Sequence, residues 1–231
     1  MKSLFVLMGI LLVAGPAAMA STTTCPSTTL DVYLAPGFSC VSGNLLFGNF
    51  SYTNSAAPDG TAIQSSSLFV TPLTNTLNEG FMFTAAWQVA PVAAGSFQDS
   101  KIAFTVSTSD NTATINNLSL FFNGTASGPG SSSVTEQFCL GGSVSNCSQP
   151  IGQIQVTNPP AKFNDVIFFS PVSTVGVSKD INVNSGSTGS AFISQVANRY
   201  GQTSAVPEPL SYLLVGVGLL GLGLIRKRVR S

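Results

Sequence analysis

The fold is decided by the stretch Phe81-Met82-Phe83-Thr84-Ala85-Ala86-Trp87-Gln88-Val89. Successive side chains of a β-strand point to opposite faces, so a strand here brings one set of large apolar residues together. That set is Phe81, Phe83, Ala85, Trp87 and Val89, and the other side carries Met82, Thr84, Ala86 and Gln88. The segment therefore predicts a strand whose apolar face belongs to a core.

The same alternation returns along the chain, first at Ile102, Phe104 and Val106. Further predicted strands are 45–53, 67–71, 114–122, 134–140, 151–157, 163–169, 174–183 and 190–197. Turn-forming residues separate them, among them Asn158-Pro159-Pro160. About ten short strands with almost no helical periodicity predict an all-β fold, a single antiparallel β-sandwich of jelly-roll type.

The chain is rich in phenylalanine, and we expect these rings to fill the space between two sheets rather than to form a ligand platform. The residues concerned are Phe81, Phe83, Phe104, Phe121, Phe122, Phe138, Phe163, Phe168, Phe169 and Phe192. Trp87 continues the face of Phe81 and is expected in the same core.

Cys25, Cys40, Cys139 and Cys147 allow three disulfide pairings. We favour Cys25 with Cys40 and Cys139 with Cys147, because each pair brackets a turn-rich segment and closes a short loop. By the loop-entropy model each bridge contributes about 2.5 to 3 kcal/mol. A zinc site built from all four cysteines is the alternative, although their spacings are unlike those of zinc hairpins.

Residues 1–20 have the pattern of a secretory signal peptide. Lys2 supplies the positive charge, an apolar segment follows at 4–14, and Ala18-Met19-Ala20 forms a small-x-small cleavage site. An N-terminal membrane anchor is the alternative. With cleavage after Ala20, the exported domain runs from 21 to 205, a length that suits one domain.

The C-terminal segment 206–231 begins with Val206-Pro207-Glu208-Pro209, where the prolines disfavour helix and leave an extended stretch. The uncharged run 210–225 follows, and as a helix it reaches about 24 Å, slightly short of a bilayer core. The basic tail 226–230 contains Arg226, Lys227, Arg228 and Arg230. The positive-inside bias then keeps the C-terminus in the cytoplasm and the preceding domain outside.

These three parts, in this order, resemble the PEP-CTERM sorting signal of bacterial exported proteins. The resemblance covers about a tenth of the chain and concerns sorting alone. It implies recognition by an exosortase, a membrane-embedded enzyme that would cut near Pro207-Glu208-Pro209 and release or re-anchor the protein. The expected location is an inner-membrane-anchored intermediate, and then the cell surface or the extracellular space.

The exported part is sparsely charged, with Lys101, Lys162, Lys179 and Arg199 set against eight acids. A nucleic-acid partner requires a basic surface, so we expect none. The surface must consist largely of Ser, Thr, Asn, Gln and Gly, which suits hydrogen bonding to polysaccharide.

The chain has no histidine, which removes Ser-His-Asp and Cys-His catalysis and histidine zinc sites. We therefore expect no enzyme, no catalytic residues, no metal and no cofactor. The segment 180–186 has a partial likeness to a calcium loop, but its glycine falls one residue late and a strand entering a turn explains it better. Glu136 shares a predicted face with Val134 and Phe138, which suggests a sheet-rim position.

The sequence therefore predicts an exported, exosortase-sorted β-sandwich that serves as a non-enzymatic structural or exopolysaccharide-associated component. One alternative is a polysaccharide hydrolase or lyase using paired carboxylates. Its candidate acids are Asp31, Asp59, Glu79, Asp99, Asp110, Glu136, Asp165 and Asp180. An ice-binding protein is a further alternative, but the threonines near 71–76 and 105–114 do not keep a strand register.

Overall fold

A computed structural model describes residues 23–58, 60–75, 77–90, 94–109 and 113–204. The signal peptide, the sorting segment 206–231, Asp59 and Asp110 lie outside the described residues, so the predictions made for them stay predictions. Over the described ranges, no helix has both the length and the hydropathy that crossing a bilayer requires.

The described chain is built almost entirely of strands. In chain order these are β1 (Thr23–Thr24), β2 (Thr28–Thr29), β3 (Ser39–Ser42), β4 (Leu45–Ala57), β5 (Phe69–Leu73), β6 (Asn78–Val89), β7 (Phe97–Thr108), β8 (Ala113–Phe122), β9 (Thr125–Ser127), β10 (Ser131–Leu140), β11 (Gly152–Asn158), β12 (Asn164–Val172), β13 (Thr174–Asn184) and β14 (Ser190–Ser204). The helical pieces are α1 (Leu30–Tyr33) and the 3-10 turns Ser65–Ser67 and Val144–Asn146.

The strands form two sheets. Each sheet has seven strands: the one that we call the β7 sheet has the order β1-β3-β4-β7-β13-β10-β11, and the one that we call the β6 sheet has the order β12-β8-β14-β6-β5-β2 with β9 beside β14. Adjacent strands are antiparallel, apart from the short parallel pair β1 and β3. The predicted all-β sandwich is confirmed, and each of the ten predicted strands is present. The short strands β1, β2, β3 and β9 were not predicted.

The core lies between the two sheets, and β6 supplies its centre. Phe81, Phe83 and Trp87 are fully buried, as their alternation predicts, and the indole Nε1 of Trp87 donates to Ser100 Oγ at 3.0 Å. The ring of Phe81 lies 4.4 Å from that of Phe47 in the facing sheet. Each buried ring of this kind contributes about 1.5–3 kcal/mol through apolar burial, which is the main force holding the sheets together.

The expectation that the phenylalanines fill the core is wrong for several of them. Phe121 is 47% exposed and Phe168 is 72% exposed, while Phe163 and Phe192 are also exposed. Neighbours along a strand face opposite ways, so Phe122 and Phe121 cannot both point inward. Phe122 takes the core side, and the same alternation turns Phe169 inward and Phe168 outward.

Both favoured disulfides are confirmed: Cys25 is bonded to Cys40 and Cys139 to Cys147. The alternative of a four-cysteine zinc site is therefore wrong. Two disulfides indicate that this domain belongs to an oxidising extracellular or periplasmic compartment.

Candidate functional site: the polar face of the β7 sheet

The outer surface of the β7 sheet is an array of polar side chains across five neighbouring strands, β4, β7, β13, β10 and β11. We call it the polar face. Strand register arranges it in three rows, which are Ser55–Asp99–Asn182–Ser133–Thr157, Thr53–Lys101–Asp180–Thr135–Gln155 and Ser51–Ala103–Ser178–Gln137–Gln153. Every position in these rows except Ala103 has a polar side chain. The inward residues between them, such as Ile102 and Ile181, belong to the core.

The polar face carries its charges near the middle. Lys101 lies directly across from Asp180, and Asp99 lies across from Asn182 on the same pair of strands. Partial burial raises the pKa of Asp180 to about 6, and a hydrogen bond and charge repulsion from Asp99 add to this effect. The positive charge of Lys101 lowers the same pKa. Asp180 therefore takes up a proton near pH 6, which lowers the negative charge of this patch in mild acid.

A groove of about 680 Å³ runs over one end of the polar face. Its floor includes Lys101, Ala103, Gln137 and Ser178, one wall is formed by Asn49 and Ser51, and the other wall by Ser143, Val144, Ser145 and Ile151. Ser143, Val144 and Ser145 of this second wall belong to the loop closed by the Cys139–Cys147 disulfide, and Ile151 follows that loop. The lining mixes hydroxyl and amide groups with apolar side chains such as Val144 and Ile151, and its polar members can donate and accept hydrogen bonds to a polyhydroxylated chain.

Two local features shape the walls. The disulfide-closed loop can lie flat on the sheet because Gly176 has no side chain, since a Cβ there would be 2.3 Å from the carbonyl oxygen of Gly142. On the opposite side, β4 bulges between Gly48 and Ser51. Asn49 sits in this bulge with a φ of 56°, and its Nδ2 donates to Thr105 Oγ1 at 3.0 Å.

The predicted acids fall into different environments. The structure brings Asp99 and Asp180 together, and it pairs Asp165 with Lys162 at 2.7 Å. Glu79 is buried, with Gln202 donating to its carboxylate. The sheet-rim position suggested for Glu136 is wrong: β10 lies between β13 and β11, and Glu136 is fully buried in the interior.

Glu136 belongs to a buried polar cluster that the sequence reading missed. Lys179 and Asn198, both fully buried, donate to its carboxylate, and the fully buried Tyr200 lies near it. A signal was available in the sequence. Lys179 has the same strand parity as Val177 and Ile181, which places it on the apolar side of β13.

Within the part of the chain that the structure describes, no three Cys, Asp or Glu side chains are grouped so that they could hold a metal ion. The segment with partial likeness to a calcium loop is the end of β13 and its turn, where Asn184 Oδ1 accepts from the backbone N–H of Gly186 at 2.6 Å.

No family model matches the chain, and no curated protein matches it. Among solved structures, the chain is similar to the carbohydrate-binding module TmCBM61 in complex with β-1,4-galactotriose, at 10% identity and a TM-score of 0.32, covering 66% of this chain and 88% of that one. It is also similar to the enzymatically active domain of tailspike protein 4 of bacteriophage CBA120, at 14% identity and a TM-score of 0.30, covering 67% of this chain and 19% of that one. A third is endoglucanase 3 of Trichoderma harzianum, from family GH12, at 8% identity and a TM-score of 0.25, covering 66% of this chain and 98% of that one.

Proposed function

We propose that the protein is an exported, non-enzymatic component of the cell surface or extracellular matrix that associates with exopolysaccharide through its polar face. The observation that carries the proposal is the array of hydroxyl and amide side chains across five strands, with a groove over one end. Such side chains hydrogen-bond to sugar hydroxyls in both directions, and the central Lys101 and Asp180 add charge-assisted bonds.

The low charge of the polar face favours a neutral or weakly charged polymer as the ligand. Each contact competes with water, so a single polar hydrogen bond contributes only about 0.5–1.5 kcal/mol. We therefore expect a single sugar unit to bind weakly. A chain long enough to contact several rows of the polar face should bind more strongly.

A polysaccharide co-sedimentation assay, following a glycan-array screen, tests this function. Gln137→Ala and Lys101→Ala remove groove-floor groups and should each weaken retention about fivefold or more, equivalent to about 1 kcal/mol. The matched control is Gln88→Ala, which replaces an exposed glutamine on the β6 sheet. Equal retention of all variants, or no retention of the wild type by any polymer, would refute the role of the polar face.

We also propose that export uses the signal peptide and that sorting uses the C-terminal segment 206–231 with an exosortase. The support is the order of motif, apolar run and basic tail, together with disulfides that require an oxidising compartment. Alanine replacement of Pro207, Glu208 and Pro209 should keep the protein in the membrane fraction at unprocessed size. The control is Ser211→Ala, just beyond the motif, and an unchanged distribution of the triple variant would exclude the motif as the signal.

A second candidate function is polysaccharide cleavage by paired carboxylates, which the contact between Asp99 and Asp180 favours. Directly hydrogen-bonded carboxyl groups are closer together than the roughly 5 to 9.5 Å separations of glycosidase pairs, which weakens this candidate. The test is release of reducing ends or unsaturated products from the polymer that binds. Activity that disappears in both Asp99→Asn and Asp180→Asn would establish the enzyme and displace the non-enzymatic proposal.

A further inference from the structure

The buried polar cluster in the middle of the sandwich consists of a lysine and an asparagine that both contact one glutamate. Lys179 lies on β13 directly opposite Glu136 on β10, and Asn198 reaches the same carboxylate from β14 in the facing sheet. Lys179 Nζ and Asn198 Nδ2 both donate to one oxygen, Glu136 Oε2. The two nitrogen atoms are thus at most two hydrogen-bond lengths apart, about 6 Å.

The cluster is poorly satisfied as a simple ion pair. The other carboxylate oxygen, Glu136 Oε1, and the amide oxygen, Asn198 Oδ1, are both buried with no hydrogen-bond partner, and so is the hydroxyl of Tyr200. A buried ion pair recovers its desolvation cost only when its remaining lone pairs are also hydrogen-bonded. A cluster in which Lys179 and Glu136 are neutral avoids that cost.

We propose that Lys179 and Asn198 become joined by an intramolecular isopeptide bond, with Glu136 carrying the proton. A proton first passes from the Lys179 ammonium to Glu136. The lone pair of Lys179 Nζ then forms a bond to Asn198 Cγ, the Cγ–Nδ2 bond breaks, and Glu136 relays the proton from Nζ to the departing nitrogen, which leaves as ammonia. The reaction conserves all atoms and needs no oxidant, reductant or external co-reactant.

The surroundings suit each step. Burial lowers the pKa of Lys179 and outweighs the opposing effect of the Glu136 carboxylate. The free amine is therefore accessible as a nucleophile. Phe83 lies against the amine, with Nζ 6.0 Å from its ring centroid, and Tyr200 stays neutral because burial raises its pKa. Burial keeps water away from this cluster, which disfavours hydrolysis of the new amide bond.

The product would also satisfy two of the three unpartnered oxygens. The new amide N–H would donate to one oxygen of Glu136, and Asn198 Oδ1, which stays a carbonyl oxygen, would accept the proton held on the other. The bond would connect β13 of the β7 sheet with β14 of the β6 sheet, so it would join the two layers covalently. Unlike the disulfides, it would persist under reducing conditions, and it does not depend on polysaccharide binding.

Peptide mapping of the reduced, denatured full-length protein tests the bond. Trypsin does not cut after an acylated lysine, so the linked protein yields 163–199 as one peptide, lighter than its sequence by one ammonia. The unlinked protein yields 163–179 and 180–199. Chymotrypsin, which cuts after Phe192, then leaves a branched peptide in the linked case, and cleavage at the exposed Lys162 is the internal control for digestion.

Recovery of 163–179 and 180–199 as the main wild-type products would overturn the proposal. Ammonia loss at Asn123-Gly124 does not confuse the result, because those residues lie in a different tryptic peptide, 102–162. Glu136→Gln tests the proton carrier, and it should restore cleavage at Lys179 in most of the protein. A fully linked Glu136→Gln protein would refute the role of Glu136.

Discussion

The Cys139–Cys147 disulfide closes the loop that forms one wall of the groove, and its removal should affect stability and binding together. The change is the double substitution Cys139→Ala and Cys147→Ala. The bridge joins residues eight apart in sequence. Cross-linking a loop of this size removes unfolded-state entropy equivalent to about 2.6 kcal/mol at 25 °C.

Removal of the bridge should therefore lower the free energy of unfolding by about 2.5 to 3.5 kcal/mol, the upper value including the cavity left by the buried Cys139 sulfur. In a domain of this size the loss corresponds to a Tm decrease of about 5 to 14 °C. Freed from the bridge, the loop should also leave its place above Gly176, and polysaccharide retention should fall with it.

Urea unfolding followed by circular dichroism measures the first effect, and co-sedimentation measures the second. For the unfolding measurement Ser143→Ala is the matched control, since it changes the same loop while leaving the bridge intact, and it should cost less than about 0.5 kcal/mol. A loss below about 1 kcal/mol in the double variant would refute the loop-entropy reasoning. Unchanged retention would show that this loop is not a wall of the binding groove.

Three further changes test the core, the groove and the charged pair. Trp87→Phe removes the indole donor to Ser100 and part of the core volume, so urea unfolding should show a loss of about 1–3 kcal/mol; a loss under 0.5 would contradict the packing described. Gly176→Ala places a Cβ 2.3 Å from the carbonyl oxygen of Gly142, so the Tm should fall and polysaccharide retention should weaken. The raised pKa of Asp180, about 6 in the folded protein, means that the folded state binds more protons than the unfolded state between about pH 4 and 6. Asp180 therefore destabilises the domain increasingly as pH rises through this window, and Asp180→Asn should gain stability relative to the wild type between pH 4 and pH 7 in urea midpoints. A difference independent of pH would refute this assignment.

Alternation was enough to predict the fold at the level of strands and sheets. The residues from Phe81 to Val89 face the core or the surface as their parity predicts, because a strand offers each side chain only two directions. In a pair of adjacent phenylalanines only one ring can face inward, and the sequence does not say which. The prediction that Phe121 and Phe168 are buried is wrong for this reason. The short strands β1 and β9 could not be predicted, because two or three residues are too few to show an alternating pattern. Each forms only by pairing with a neighbouring strand.

The candidate site depended on information that the sequence does not contain. The polar face requires the spatial order of β4, β7, β13, β10 and β11, which differs from their order along the chain. Asp99 and Asp180 are far apart in sequence and meet only because β7 pairs with β13. Lys179, in contrast, could have been recognised as an inward residue from its parity with Val177 and Ile181.

Strand β14 lies in the middle of the β6 sheet, with β8 along one side and β6 along the other, and it continues to Ser204. Any tension applied to the chain after Ser204 enters the domain through this strand. Because β14 is bonded along both edges, such a pull loads two antiparallel ladders at the same time instead of opening a single edge from its end. A pull on the chain after Ser204 would therefore have to break both ladders before β14 could leave the sheet.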